Sequence, residues 1–266
     1  MRRSIGLAVS AAAVCAAALA GCSSSAPSSA PASAGASAGQ ALTIRYDDTA
    51  QFEIGTPTGA FIYIDVWDPD ALARTPTAKD ILLTTHGHSD HINPDFEAGF
   101  PGKKLTIQKG TLAADGISIE SLPAAHNEGD LLEDQGGSDY IFVIDVAGMR
   151  LAHFGDLGQD KLTDEQMAKL GKVDIAMSQL SNSYSGMDDV NRKGFNQMNQ
   201  VKPKLFIPTH MSNETAAIAA KEWQAAWATG PITISKDRLP SETTCLFMGS
   251  QAESLGTILK VAPYGG

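Results

Sequence analysis

Thr85-His86-Gly87-His88-Ser89-Asp90-His91 is the stretch on which the reading of this sequence turns. It follows directly on the apolar run Ile81-Leu82-Leu83-Thr84, so three imidazoles and a carboxylate sit on a loop leaving a strand end. Imidazole and carboxylate are ligands for zinc and similar divalent ions, and a loop can fold such groups around one point. On a strand or a helix only some of them would face the same way. A surface cluster of histidines with no chemistry to do has no reason to be continued elsewhere in the chain.

It is continued. The sequence holds six histidines, and the three outside the cluster each lie at or beside the end of a strand-like run. His126 follows Leu122-Pro123-Ala124-Ala125, His210 follows Phe206-Ile207-Pro208-Thr209, and His153 stands in Ala152-His153-Phe154-Gly155-Asp156.

Runs rich in β-branched and apolar residues predict strands over 61–65, 81–84, 104–108, 117–122, 140–146 and 149–154, the last two joined at Ala147-Gly148 as a hairpin. Thr163-Asp164-Glu165-Gln166 is a capping box that opens a helix, and Gly171 ends it. Further helices are predicted over 188–200, stopped ahead of Pro203, and over 213–228, stopped at Gly230-Pro231. Between them, 173–177 and 205–207 read as buried strands. Strand pairs followed by strand–helix alternation predict an α/β fold in which sheets are flanked by helices.

Taken in order, these segments resemble the five motifs of the metallo-β-lactamase superfamily. Asp65 looks like the first motif, His86, His88, Asp90 and His91 the second, His126 the third, Asp156 the fourth and His210 the fifth. More narrowly, Phe154-Gly155-Asp156-Leu157-Gly158 and Pro208-Thr209-His210 are similar to small metal-dependent hydrolases related to ascorbate-6-phosphate lactonase. The resemblance covers roughly residues 41–248 and implies a four-layer αββα sandwich. It implies two adjacent metal sites, with His86, His88 and His126 at the first, Asp90, His91 and His210 at the second, and Asp156 bridging them. The implied cofactor is a divalent transition metal, two zinc ions, with manganese or iron as alternatives. The implied reaction is hydrolysis of an ester, lactone or phosphoester of a small substrate by a metal-bound hydroxide, with Asp90 and Asp156 as the catalytic carboxylates. Asp65 is either an acceptor for a ligand imidazole or a strand-end carboxylate capping its own loop. His153 has no place in the ligand set and reads as a hydrogen-bonded neighbour beneath it, with proton transfer as the alternative. Two other functions stay open: a non-catalytic metal- or ligand-binding lipoprotein, and an iron-dependent oxygenase or oxidoreductase of the same fold. Flavodiiron relatives carry Glu where His88 stands, which counts against that branch.

Substrate contacts are less legible. Residues 180–188, Leu-Ser-Asn-Ser-Tyr-Ser-Gly-Met-Asp, are more polar than the Pro-Gly-Gly-like stretch of relatives, and read as an ordinary solvated loop or a pocket for a polar substrate. Asn127-Glu128-Gly129-Asp130 reads as a turn or a pocket rim. No arginine pair suggests a phosphate clamp.

The chain opens as an exported protein does. Met1-Arg2-Arg3 is followed by a 14-residue run from Leu7 to Ala20 that is apolar apart from Ser10, too short for a hydrocarbon core needing about 20 residues. Leu19-Ala20-Gly21-Cys22 resembles a bacterial lipobox, which implies a signal peptide over 1–21 and a lipidated Cys22 holding the protein to membrane lipid on the outer face of the cell membrane. Residues 23–40 are almost entirely Ser, Ala, Pro and Gly, the composition of a tether, so the expected folded domain is 41–266. Without Arg2 and Arg3 there are 18 basic against 30 acidic residues, a net charge near −12 that repels phosphate and argues against nucleic acid. Removal of Cys15 and lipidation of Cys22 leave Cys245 with no partner for a disulfide, and its apolar surroundings predict a buried strand residue. Oligomeric state leaves no mark on the sequence.

Overall fold

The computed structural model describes residues 40–130 and 137–265; the expected signal peptide, Cys22 and most of the tether lie outside them. Two sheets carry the chain. β1 (Leu42–Tyr46), β2 (Phe52–Gly55), β3 (Phe61–Ile64), β4 (Ile81–Thr84) and β5 (Lys103–Thr106) build the first. The second is built by β6 (Gly110–Ala114), β7 (Ile117–Ala124), β8 (Asp139–Val146), β9 (Met149–His153), β10 (Ile175–Ser178), β11 (Leu205–Pro208) and β12 (Gln224–Trp227). β13 (Ile232–Ile234) returns to the edge of the first sheet, while β14 (Thr244–Phe247) and β15 (Ala262–Pro263) complete the second.

Alternation along the strands decides how these sheets stack. In β1 and β2, Leu42, Ile44, Phe52 and Ile54 point inward to meet Ile117, Ile119, Phe142 and Ile144 of the second sheet in one buried cluster. The opposite face of the second sheet presents Ile141, Val143, Ala176 and Phe206 to the helices α2 (Asp164–Leu170), α3 (Lys193–Val201), α4 (Asn213–Glu222) and α5 (Ala252–Leu259), through Leu170, Phe195, Ala219 and Leu255. On the outer face of the first sheet, Tyr63 and Leu82 are covered by Phe96 and Phe100 at the short helix α1 (Pro94–Gly99). The layers are therefore helix, sheet, sheet, helix, the expected αββα sandwich.

Two expected helices are corrected. The one predicted over 188–200 starts only at Lys193, because Asp188 Oδ1 accepts from the Val190 and Asn191 amides and Arg192 turns left-handed at φ 56°. The one predicted over 213–228 stops at Glu222, and Gln224–Trp227 pairs instead with β14 in parallel. The capping box at Thr163 and Gln166 is present and Gly171 ends that helix, as predicted. Cys245 is fully buried in β14, and burial pushes its thiol pKa far up.

Strand direction places the chemistry. β3, β4 and β5 run parallel, as do β9, β10 and β11, and β7 runs parallel to β9 through the antiparallel β8 between them. The residues after the C-terminal ends of these strands, from Asp65 to His210, gather at one pole.

Candidate metal centre

Seven predicted ligands meet there in two groups. His86, His88, His126 and Asp156 offer ligand atoms that all lie within 4.8 Å of one another, and Asp90, His91 and His210 do the same. Asp156 stands between the groups: its Oδ2 is 3.9 Å from His86 Nε2 and 3.8 Å from His126 Nε2, and its Oδ1 is 3.3 Å from His91 Nε2 and 3.2 Å from His210 Nε2. A carboxylate so placed suits a bridge between two cations. His86, His91, His126 and Asp156 are buried, His88 is exposed, and Asp90 and His210 are half-buried, so the cluster opens to solvent on one side.

A divalent metal fits these residues by a physical test. His86 Nε2 and His126 Nε2 are buried ring nitrogens with no hydrogen-bond partner, and both lie on the Asp156 Oδ2 side of the cluster. Leaving such atoms unsatisfied is costly, and a cation is the partner that imidazole nitrogen and carboxylate oxygen have in common.

Beneath the cluster, Asp65 organises the rings. It sits one residue past β3 with φ 50°, a left-handed conformation that Asp tolerates better than most residues, and it is fully buried. Its Oδ1 accepts from the Thr85 amide at 2.7 Å. Its Oδ2 accepts from the Thr85 hydroxyl at 2.8 Å, His91 Nδ1 at 2.9 Å and His153 Nε2 at 3.1 Å. With its proton given to Asp65, the Thr85 hydroxyl accepts from His86 Nδ1 at 3.1 Å. One carboxylate thus anchors Nδ1 of His91 directly and of His86 through Thr85, turning each Nε2 toward the ligand space. Asp65 therefore accepts directly from the His91 ring, and His153 lies beside it as a hydrogen-bonded neighbour. Burial alone would raise the pKa of Asp65, but His91 and His153 overrule it and hold the carboxyl far below its ordinary range. Burial disfavours the charged form of His91, yet Asp65 and Asp156 outweigh it and raise that pKa well above the ordinary value. His126 is lowered, by burial first and then by His86. Its Nδ1 lies 3.1 Å from the Asn127 amide; a metal on Nε2 requires Asn127 to present its oxygen there.

Three contributors were not singled out by the sequence. Thr85, inside the quoted stretch, is the relay just described. Asp139, at the start of β8, is fully buried with its Oδ1 3.4 Å from His86 Nδ1, and burial raises its pKa. Asn182 donates from Nδ2 to Asp156 Oδ2 at 2.6 Å and accepts the Tyr184 amide at 3.0 Å. That corrects the reading of 180–188 as an ordinary solvated loop. The segment closes on itself through Asn182 and Met187, which exchange backbone bonds of 2.8 and 2.9 Å, and Gln179 holds the Ser185 hydroxyl at 2.8 Å. Asn127–Asp130 is a turn, with the Asp130 amide bonded to the Asn127 carbonyl at 3.1 Å.

The chain is similar to several known proteins. A family model described as "Beta-lactamase superfamily domain" matches residues 43–210. A UPF0173 metal-dependent hydrolase of Anaeromyxobacter sp. (strain K) is 26% identical over 211 residues, spanning 65% of this chain and 76% of the relative. Another, of Thermoplasma acidophilum, is 28% identical over 167 residues, spanning 52% of this chain and 72% of the relative. Among solved structures, a Thermotoga maritima protein described as a Zn-dependent hydrolase of the metallo-β-lactamase superfamily superposes with TM-score 0.57 at 20% identity, covering 78% of this chain and 98% of the other. Igni18, a metallo hydrolase of Ignicoccus hospitalis, gives TM-score 0.52 at 19% identity, with 73% and 99% covered.

Proposed function

The chain belongs to the metallo-β-lactamase superfamily and is a metal-dependent hydrolase, and from that premise we propose that it holds two divalent ions, zinc, and cleaves an ester, lactone or phosphoester of a small substrate outside the cytoplasm. The observation that carries this reading is the pair of buried, unpartnered ring nitrogens on His86 and His126 beside a carboxylate, Asp156, that stands between two groups of ligand atoms. His86, His88 and His126 would hold the first ion and Asp90, His91 and His210 the second, with Asp156 between the two groups. Ions held there supply Lewis acidity, which brings the pKa of water toward neutrality and offsets charge developing on the substrate. The protein's own residues do the rest. Asp65 and the Thr85 hydroxyl keep the Nδ1 protons of His91 and His86 turned away from the ligand space. Asn182 pins one oxygen of Asp156 so that the carboxylate cannot swing. Asp90 is half-buried beside His91 and His210, and in this reading it would orient the attacking water. His88, the exposed ligand, stands on the side from which substrate arrives.

The proposal includes the kinship with ascorbate-6-phosphate lactonase that 154–158 and 208–210 suggest, and export with lipid attachment through Cys22; both rest on the sequence segments quoted above. Zinc dialysis with elemental analysis, followed by p-nitrophenyl acetate, γ-butyrolactone and bis-p-nitrophenyl phosphate as substrates, tests the function. Two zinc ions per chain and turnover of at least one substrate are expected, with both reduced in His88→Ala. A His88→Ala protein that keeps its zinc and its turnover overturns the proposal.

A further inference from the structure

Among the described residues five large apolar side chains are exposed: Trp67 at 36%, Ile107 at 41%, Tyr184 at 78%, Val190 at 84% and Ile258 at 65%. Single exposed apolar residues are ordinary, but the placement of these is not scattered. Trp67 lies two residues beyond Asp65, Ile107 is the first residue after β5, and Tyr184 and Val190 belong to the connection from β10 to α3. Four of the five therefore stand on segments that leave the ligand-bearing pole.

Two of them stand against the ligand loop itself. Ile107 Cδ1 is 3.9 Å from the point a side chain on Gly87 would occupy, and the Tyr184 ring meets the His88 ring edge-on at 6.5 Å. Gly87 has no side chain to fill the space between its own backbone and Ile107. Tyr184 is held in place although it is exposed, because the Asn182 amide that grips Asp156 also takes the Tyr184 backbone N–H. The same small hairpin thus orders the bridging carboxylate and presents an aromatic ring beside the exposed ligand. A site with a few convergent polar groups and apolar walls is the usual form of a small-molecule pocket.

We propose that the substrate carries an apolar arm, an alkyl or aryl group of several carbons, which lies over the Gly87–His88 turn against Ile107 and Tyr184 while its polar, scissile end reaches the ligand cluster. This rests on the hydrolase reading above and adds the substrate class to it. A purely polar substrate would leave these side chains in water, with nothing gained from their exposure.

Alkyl hydroxamates provide probes that bind metal without being turned over. On the zinc-loaded protein, octanohydroxamate is expected to bind at least ten-fold more tightly than acetohydroxamate by calorimetry, since each fully buried methylene is worth about four-fold in affinity. Ile107→Ser and Tyr184→Ala should each compress that ratio, and the double variant should bring it close to one. Equal binding of the two hydroxamates by the unaltered protein overturns the proposal, as does a ratio that both substitutions leave intact. If the substitutions change sedimentation with neutral phosphatidylcholine vesicles but not the hydroxamate ratio, the apolar rim meets a membrane and the arm is again overturned. Failure to cleave p-nitrophenyl acetate and octanoate with the ratio intact would count against ester hydrolysis and leave the apolar arm standing.

Discussion

Asn182 bonds to two things at once: its Nδ2 donates to Asp156 Oδ2 at 2.6 Å, and its Oδ1 accepts the backbone N–H of Tyr184 at 3.0 Å. The second bond fixes which way the amide faces, so the first is not interchangeable with a contact through oxygen. Asn182→Ala is expected to weaken metal binding by about 10-fold, the low end of what loss of an outer partner costs. Tyr184→Ala, which touches no ligand oxygen, should leave metal affinity near its original value. Cobalt titration followed by visible absorption measures both, and an unchanged Asn182→Ala curve would show that Asp156 holds its orientation unaided.

Asp65 accepts four hydrogen bonds with no exposure to solvent. Asp65→Asn keeps the left-handed backbone within reach but cannot accept from four donors. A loss of about 3–5 kcal/mol is expected, as when one partner of a buried charged pair is removed. Urea unfolding in the presence of a chelator isolates this from any loss of metal. A loss below about 1 kcal/mol would mean that the surrounding donors find other partners.

Gly155 tests the packing behind the ligands. It has φ 53°, and a Cβ there would run into the Asp139 carboxylate and come within 2.8 Å of Thr85 Cβ. Gly155→Ala should cost at least about 1–3 kcal/mol from backbone strain alone. It should also disturb His86 through Thr85, so the variant is expected to melt lower and take up less zinc. Normal zinc uptake at a lower melting temperature would separate the strain from the site.

Asp80 governs a different part of the acid response. It accepts from the Phe61 amide at 2.7 Å, the Thr77 amide at 2.6 Å, the Thr77 hydroxyl at 3.0 Å and Arg74 at 2.6 Å. Burial works to raise its pKa, but these donors together overcome burial and lower it. A carboxyl whose folded-state pKa is depressed adds stability above its unfolded value, about pH 4, and that stability is lost as pH falls through the folded-state value. Asp80→Asn should therefore be less stable than the unaltered protein at pH 7, with the gap narrowing below about pH 4. Urea midpoints at pH 7, 4 and 3 check the sign, and a gap that stays constant over that range would remove Asp80 from the account.

What the sequence disclosed about the site follows from how local each contact is. His86, His88, Asp90 and His91 are close neighbours on one loop, so their chemistry is visible without knowing the fold. His126, Asp156 and His210 were legible because each ends an apolar run. Asp139 and Asn182 were not, since nothing next to them in the chain distinguishes them. Asp139 reaches His86 only because β8 pairs between β7 and β9, and Asn182 reaches Asp156 only across the β9 and β10 ends. The misread helices have the same origin. Ala225 and Ala226 favour a helix in isolation, but pairing with β14 wins. Asp188 forms local bonds to its own backbone that compete with a helical start. β1 and β2 escaped notice although Leu42, Ile44, Phe52 and Ile54 alternate inward, because Thr43, Arg45 and Glu53 between them break up the continuous apolar run that marked the other strands.

Asp65 and His153 come from opposite sheets, yet they are bonded to each other at the floor of the cluster. A growing polypeptide that has formed only its first hundred residues already owns Asp65, His86, His88, Asp90 and His91, but not His126, His153, Asp156 or His210. Such a fragment has little with which to retain an ion of the wrong kind. Capture becomes a late event that certifies docking of the two halves, and in refolding experiments zinc uptake should trail the burial of Phe52 and Phe142 rather than precede it.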